Sequence, residues 1–311
     1  MSNKQQIIGI VGPTASGKTA LSMALASAFS IEILCMDSMQ VYRGMDIGTA
    51  KPTMQERALV PHHLLDIRQP DETFSVAEYA ALAREAISGI FARGQLPVLV
   101  GGAGLYLRAL SLPLSLGGVP KDDAVRARYQ AMLEAEGAQA LHNTLMQVDA
   151  LTAGRLHPND TRRVIRALEV YAATGHPISG QVMPTYDDSP YDLLLYAREW
   201  PRETLYSRID RRVDQMMRQG LPEEVQGLHR RGLSPQTQSM QGLGYKELLS
   251  CLRGEVDLPQ AVELIKRRTR NYAKRQLTWF RADPRVRWIN EQMDEDSFID
   301  MVRQDMRKHE D

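Results

Sequence analysis

The run Gly12-Pro13-Thr14-Ala15-Ser16-Gly17-Lys18-Thr19 limits this chain more than any other feature. It fits the phosphate-binding pattern G-x-x-x-x-G-K-[ST] without a gap. The apolar run Ile7–Val11 precedes it and a helix-like stretch, Thr19 to Phe29, follows. Strand, glycine-rich turn and helix start are the setting that makes the pattern a physical site. Glycines let successive backbone N–H groups curl around phosphate oxygens, and the helix start adds unpaired N–H groups and a positive dipole end. Lys18 supplies a point charge, and Thr19 can place a hydroxyl on a bound Mg2+. The loop specifies a polyphosphate with Mg2+; it does not specify ATP. The competing reading is a glycine-containing turn that merely resembles the motif.

The chain has 311 residues, 43% hydrophobic and 24% charged, enough for one large domain or two smaller ones. It contains no apolar run of membrane length, and its first residues lead straight into a short strand instead of a signal-peptide core. Cys35 and Cys251 cannot build a disulfide framework or a four-cysteine metal site. A cytoplasmic, monomeric protein with no membrane partner is expected. Formal net charge is zero, which argues against a polyanion partner only on average. From Leu264 to Ala282 there is no acid, while Lys266, Arg267, Arg268, Arg270, Lys274, Arg275 and Arg281 fall there. Local fields, not the sum, steer a polyanion.

The first third alternates strand-like and helix-like segments. Strands are expected at Ile31–Met36, 64–67 and 97–100, and a helix over 75–93 opened by a Ser75/Glu78 capping box. This order predicts an α/β fold, a P-loop NTPase-like parallel sheet with helices on both faces. The phosphate loop, Asp37 and the turn Gly101-Gly102-Ala103-Gly104 then all lie at carboxyl ends of strands, where such sheets bind ligands. A Pro/Gly-rich break at 112–120 precedes helices at 122–135, 138–148 and 160–174, with Asp160 as an N-cap. We read 113–190 as an inserted all-helical domain, and 1–112 with 191–311 as the core. The core resumes with a strand at 193–197 and helices at 202–219, 222–231, 246–253 and 258–281, then a short strand at 286–289.

Several clusters carry chemistry. Asp37-Ser38-Met39-Gln40 ends the second strand; its carboxylate is either a general base or Mg2+ ligand, or a turn cap. Arg208 and Arg212 share a helix face and suit phosphate oxygens, unless they pair with Glu203, Asp210 or Asp214. Thr161-Arg162-Arg163-Val164-Ile165 opens a helix with cations for an RNA backbone or for water. On the long helix the cations interleave with Tyr272, Trp279 and Phe280, so phosphate contact and base stacking are both available. The bland alternative is an amphipathic helix burying Ala273, Leu277 and Phe280. Gln241-Gly242-Leu243-Gly244-Tyr245-Lys246 is a glycine-punctuated helix entry able to present N–H groups and Lys246. His62-His63 lacks a third ligand at metal spacing and is read as structural.

Together these segments resemble the tRNA dimethylallyltransferase (tRNA isopentenyltransferase) family, bacterial type. The resemblance rests on Gly12–Thr19, DSMQVY at Asp37–Tyr42, GTAKP at Gly48–Pro52, HHLLD at His62–Asp66, Gly101–Tyr106, HPNDTRR at His157–Arg163, GYKE at Gly244–Glu247 and KRQLTW at Lys274–Trp279. These run in family order to about Arg281. The resemblance implies transfer of the dimethylallyl group of dimethylallyl diphosphate to N6 of the adenosine 3′ to the anticodon in tRNA, with Mg2+. It implies that Gly12, Pro13, Thr14, Ala15, Ser16, Gly17, Lys18 and Thr19 hold the diphosphate, helped by Arg212, with Thr19 near the metal. Asp37 is then the base, and Asp37, Ser38, Met39 and Gln40 contact the flipped adenosine and its neighbours. The remaining RNA contacts implied are position 103, Thr161 to Ile165, Gly242 to Glu247 (Gly242, Leu243, Gly244, Tyr245, Lys246, Glu247), Arg275, Gln276, Trp279 and Arg281. Ala103 departs from the threonine many relatives carry, so no hydroxyl contact is expected there. No cysteine pairs exist for an appended zinc finger. The alternative function is a small-molecule kinase using ATP, weakened by the lack of a strand-end Asp after Val98-Leu99-Val100.

Overall fold

The computed structural model describes residues 4–112, 122–180 and 184–308. The chain divides into two compact units: Met1–Ser111 with Pro190–Asp311, and Leu112–Ser189. In chain order the first unit begins β1 (Gln5–Val11), α1 (Lys18–Ala28), β2 (Ile31–Met36), α2 (Met54–Leu59), β3 (His62–His63), α3 (Val76–Ala92), β4 (Leu96–Gly101) and α4 (Gly104–Ser111). The second unit holds α5 (Asp123–Val148), α6 (Ala150–Arg155) and α7 (Thr161–Thr174). The first unit resumes with β5 (Tyr191–Arg198), α8 (Arg202–Arg218), α9 (Leu221–Arg230), α10 (Tyr245–Leu252), α11 (Leu258–Arg281), β6 (Val286–Ile289) and α12 (Glu295–Lys308).

The strands form one six-stranded sheet among the described residues, in the order β3-β2-β4-β1-β5-β6, and every pairing is parallel. β1 is therefore central, with Gly9 opposite Leu99 on one side and Leu195 on the other. Apolar runs such as Ile7–Val11 and Leu193–Ala197 suit strands covered on both faces. Alternate side chains divide between two cores. Ile7, Leu34, Leu99, Leu193 and Leu195 pack with Tyr79, Ala83 and Ile87 of α3 and with residues of α4, α9, α10 and α11. Ile8, Ile10, Ile33, Val98, Leu194 and Tyr196 pack with Leu21 and Leu25 of α1 and Phe298, Ile299 and Val302 of α12.

The sheet closes tightly where the ligand-binding ends lie. A Cβ on Gly101 would stand 2.0 Å from the Met36 carbonyl oxygen. That partner is backbone and cannot swing aside. Gly101→Ala is expected to cost about 3 kcal/mol of stability, through overpacking, read as a lowered denaturation midpoint with an unchanged m-value.

Several elements differ from expectation, among them the short helices α2, α4 and α6, not anticipated from the sequence. No strand runs over 64–67: Leu64 and Asp66 adopt φ of 64° and 56°, which an extended strand excludes. The strand is instead the two residues His62–His63, beside Ile33 and Leu34. Asp66 is held in its turn by Lys51 at 2.6 Å and Arg57 at 2.8 Å. The C-terminal helix α12 has no counterpart in the sequence reading, because its apolar stripe is narrow and its surroundings charged.

In the second unit α5 carries a break at Gly137 (φ 85°, ψ 171°), so it reads as two helices, 123–136 and 138–148, fused by one residue. Tyr129, Leu141, Leu145, Ala153, Val164 and Leu168 form its core. Glu169, fully buried, is satisfied by the Asp122 N–H and by Arg126 and Arg166. Asp160 occupies the N-cap position of α7 but makes no capping hydrogen bond; its carboxylate pairs with Arg163 at 3.2 Å. The Pro/Gly-rich break at 113–120 lies outside the described residues.

Candidate active site

The phosphate loop joins β1 to α1, the position the strand order makes central. Gly12, Ala15 and Gly17 take φ of 126°, 63° and 89°, a sequence of left-handed steps that winds the chain into a nest. α1 starts at Lys18 with Gly17 as N-cap and no side-chain cap, so its first N–H groups are left for a ligand. The loop's carbonyls are tied away. Arg208 Nε donates to Ala15 O at 2.8 Å, and Trp200 Nε1 donates to Ser16 O at 3.0 Å. The Arg208 guanidinium also lies 4.3 Å from the Trp200 ring centroid. Lys18 Nζ donates to Gly12 O and Pro13 O at 3.1 and 2.7 Å.

These groups border a cavity of about 840 Å³, within the range of small-molecule sites. Its walls come from five places: Thr14–Thr19; Asp37–Gln40 with Gly48–Ala50; Gly101 and Gly102; Arg208, Arg211 and Arg212 on α8; and Gln241–Leu243, Tyr245, Thr269, Tyr272, Arg275 and Gln276. Gly12 and Pro13 are buried behind the loop. Burial, and secondarily the Arg212 charge, lower the Lys18 ammonium from its ordinary 10.5 to about 7, against the pull of Asp37. Arg212 is likewise lowered by burial, with Asp37 opposing and Arg208 adding. Two cations and one carboxylate are thus within electrostatic reach of each other. Tyr272, which faces the same field, is pushed up to about 12 by burial and then by Asp37.

Asp37 caps a turn with one carboxylate oxygen and lines the cavity. Oδ1 accepts from the Met39 and Gln40 amides at 2.8 and 3.3 Å, a turn cap. Oδ2 makes no hydrogen bond among the described residues, and Asp37 lines the cavity. Gln40 braces the wall: Nε2 donates to Thr49 O and Ala50 O, and Oε1 accepts from Cys35 Sγ at 3.0 Å. Ser38 and Met39 line the cavity beside it.

Other candidates are placed less directly. Ala103, Gly244, Lys246, Glu247, Trp279 and Arg281 do not line the cavity. Thr161–Ile165 lie in the helical unit, where Arg162 and Arg163 are exposed and Val164 is buried. Four of the RNA-contact candidates are each less than a tenth exposed, and two of these, Tyr245 and Gln276, line the cavity. Val164 is core. Tyr245 donates to Glu224 Oε1 at 2.5 Å. Glu247 accepts from Gly244 N and Arg268. Gln276 bonds to Thr14 N and Gly102 O. The acid-free stretch of α11 is also less bare than its sequence: Lys266, Arg268, Arg270 and Arg281 pair with Asp214, Glu247, Asp210 and Glu199 from other elements. Arg267, Lys274 and Arg275 keep no acidic partner among the described residues.

Sequence reasoning missed Trp200 and Glu224. Glu224 accepts from three successive amides, Asp46, Ile47 and Gly48, and so holds the loop on which Thr49 and Ala50 stand. Neither has a local signal, since each acts on a segment far along the chain. Lys51 of GTAKP had no assigned role; it is buried on Tyr42 O, Asp46 and Asp66.

No group of three or more His, Cys, Asp or Glu able to hold a metal occurs among the described residues. No helix among them is long and apolar enough to cross a membrane.

A phosphate nest at the end of the central strand of an all-parallel sheet defines a P-loop α/β protein. Within that class, the IPP transferase family model matches residues 40–283, and the chain belongs to that family. The tRNA dimethylallyltransferase 1 of Trichlorobacter lovleyi is 50% identical, over 92% of this chain and 94% of its own. The tRNA dimethylallyltransferase of Pelotomaculum thermopropionicum is 48% identical, over 93% and 91%. The solved full-length tRNA isopentenylpyrophosphate transferase of Bacillus halodurans superposes with a TM-score of 0.74 at 45% identity, covering 98% of this chain and 96% of that one. A eukaryotic dimethylallyltransferase acting on tRNA superposes at 0.78 and 31%, covering 92% and 74%. The kinase reading gains nothing from these relatives.

Proposed function

We propose that this enzyme transfers the dimethylallyl group of dimethylallyl diphosphate to N6 of the adenosine 3′ to the anticodon in tRNA. The observation that carries the reading is the single cavity bordered by the Lys18 loop, Arg212 and Asp37. A diphosphate in the loop would receive the first N–H groups of α1, Lys18 and Arg212, which stabilise negative charge as the allylic C–O bond breaks. The N6 amine is a weak nucleophile because its lone pair is delocalised into the ring; as the N–C bond forms, Asp37 Oδ2 takes the N6 proton. Mg2+, held through Thr19 and the diphosphate, would further neutralise the leaving group. The target base must leave its stack to enter, and with base and donor both seated water would be displaced from the allylic carbon.

RNA would meet the exposed cations Arg267, Lys274 and Arg275 of α11, with Arg275 also over the Tyr272 ring at 5.6 Å. Arg162 and Arg163 of the helical unit are further candidates. Arg275→Ala is expected to weaken stem-loop binding and to reduce the slope of log affinity against log salt by roughly one. An unchanged slope would mean that this cation faces only solvent. For the reaction itself, the protein is incubated with labelled dimethylallyl diphosphate, unmodified tRNA and Mg2+, and the RNA is analysed by mass spectrometry. Isopentenyl mass on the adenosine next to the anticodon is the expected result; label remaining outside the RNA overturns it.

A further inference from the structure

The phosphate loop is gripped from behind by a side chain whose position in the basic run suggests RNA. Gln276 is 6% exposed on α11. Its Oε1 accepts from Thr14 N at 2.9 Å, and its Nε2 donates to Gly102 O at 2.9 Å. The pair of bonds fixes the amide's orientation, because a backbone N–H only donates and a carbonyl only accepts. The fit is close: a Cβ on Gly102 would stand 2.1 Å from Nε2. Three segments distant in sequence, the loop after β1, the turn after β4 and the C-terminal part of α11, therefore meet at one carboxamide.

We propose that Gln276 is a positioning residue for the diphosphate site, holding Thr14 so that the loop keeps its nest geometry. The inference rests on the reading that Thr14–Thr19 binds the donor's diphosphate. Thr14 opens the cavity-lining part of the loop, and the turns at Ala15 and Gly17 follow it. Without the carboxamide, a part-buried N–H and a buried carbonyl lose their partner, and the loop must shift to satisfy them. Tyr272 and Arg275, on the same stretch of helix, line the cavity. The helix that offers cations to RNA is thereby the helix that sets the phosphate loop.

The test uses the full chain with Mg2+ and inorganic pyrophosphate, titrated calorimetrically, and an anticodon stem-loop titrated separately. Gln276→Met, nearly isosteric, is expected to weaken pyrophosphate binding roughly tenfold and to leave stem-loop affinity unchanged. The reverse pattern, RNA affinity lost and pyrophosphate kept, overturns the proposal and makes Gln276 an RNA contact. Lys18→Met separates the two layers. Pyrophosphate binding that depends on Lys18 yet is unaltered in Q276M overturns the positioning role alone. Binding indifferent to Lys18 overturns the phosphate-loop reading and this inference with it. Should Q276M fail to fold, hydrogen exchange in the unsubstituted protein decides: a slowly exchanging Thr14 amide supports the bond, and exchange at the rate of an open loop refutes it.

Discussion

Asp37→Asn is expected to slow prenyl transfer by roughly 100-fold or more while stem-loop binding is largely kept. The asparagine can still cap Met39 and Gln40 through its carbonyl oxygen, as Oδ1 does now at 2.8 and 3.3 Å. What it removes is the basic oxygen that, on the proposed reading, accepts the N6 proton. Asp37→Ala would remove the cap as well, loosening the Ser38–Gln40 turn, so its loss would mix chemistry with positioning. Single-turnover rates at saturating RNA and donor separate the two. A D37N rate near that of the unsubstituted enzyme would leave Asp37 as a turn cap only.

Lys18→Met is expected to lower the transfer rate by about 100- to 1,000-fold, the scale seen when one donor to a developing oxyanion is lost. The pH behaviour gives a second handle. Lys18 is lowered to about 7 in the folded chain against an ordinary 10.5. The unfolded chain therefore holds more protons between those values, and folding stability should rise with pH across that window. A bound diphosphate has the opposite effect, raising the ammonium again. At pH 8 donor binding should thus take up a proton, and affinity should fall as pH rises above 7. Calorimetry in buffers of differing ionisation enthalpy counts that proton. Uptake that persists in the K18M variant would assign it to another group.

The readable parts of this chain were those whose physics is local. The phosphate loop needs particular backbone angles over a few residues, so glycines at 12 and 17 announce it. The Ser75/Glu78 box announces α3, because both partners lie within one turn. Buried parallel strands announce themselves as apolar runs. Where the reading went astray, the cause was long-range. Leu64–Ile67 looks like a strand, yet Lys51 and Arg57 bend it at Asp66. The cations of α11 looked unpaired because their acids sit on α8, α10 and the segment after β5. Arg208 lines the cavity as its sequence allowed, but its Nε bond to the Ala15 carbonyl, far along the chain, had no local signal. Gln276 looked like part of a basic face, although the helix turns it inward.

The phosphate loop appears early in the chain, but Trp200, Arg208 and Gln276, which hold its backbone, arrive much later. β1 likewise waits for β5, its neighbour across more than 180 residues, as the Gln6–Asp192 contact records. A nascent chain leaving the ribosome therefore carries the loop's sequence long before it can carry the loop's shape. The intervening helical unit can form its own core during that interval, since domains fold as units during synthesis. Donor binding should consequently be among the last properties acquired, and fragments ending before residue 276 should not display it.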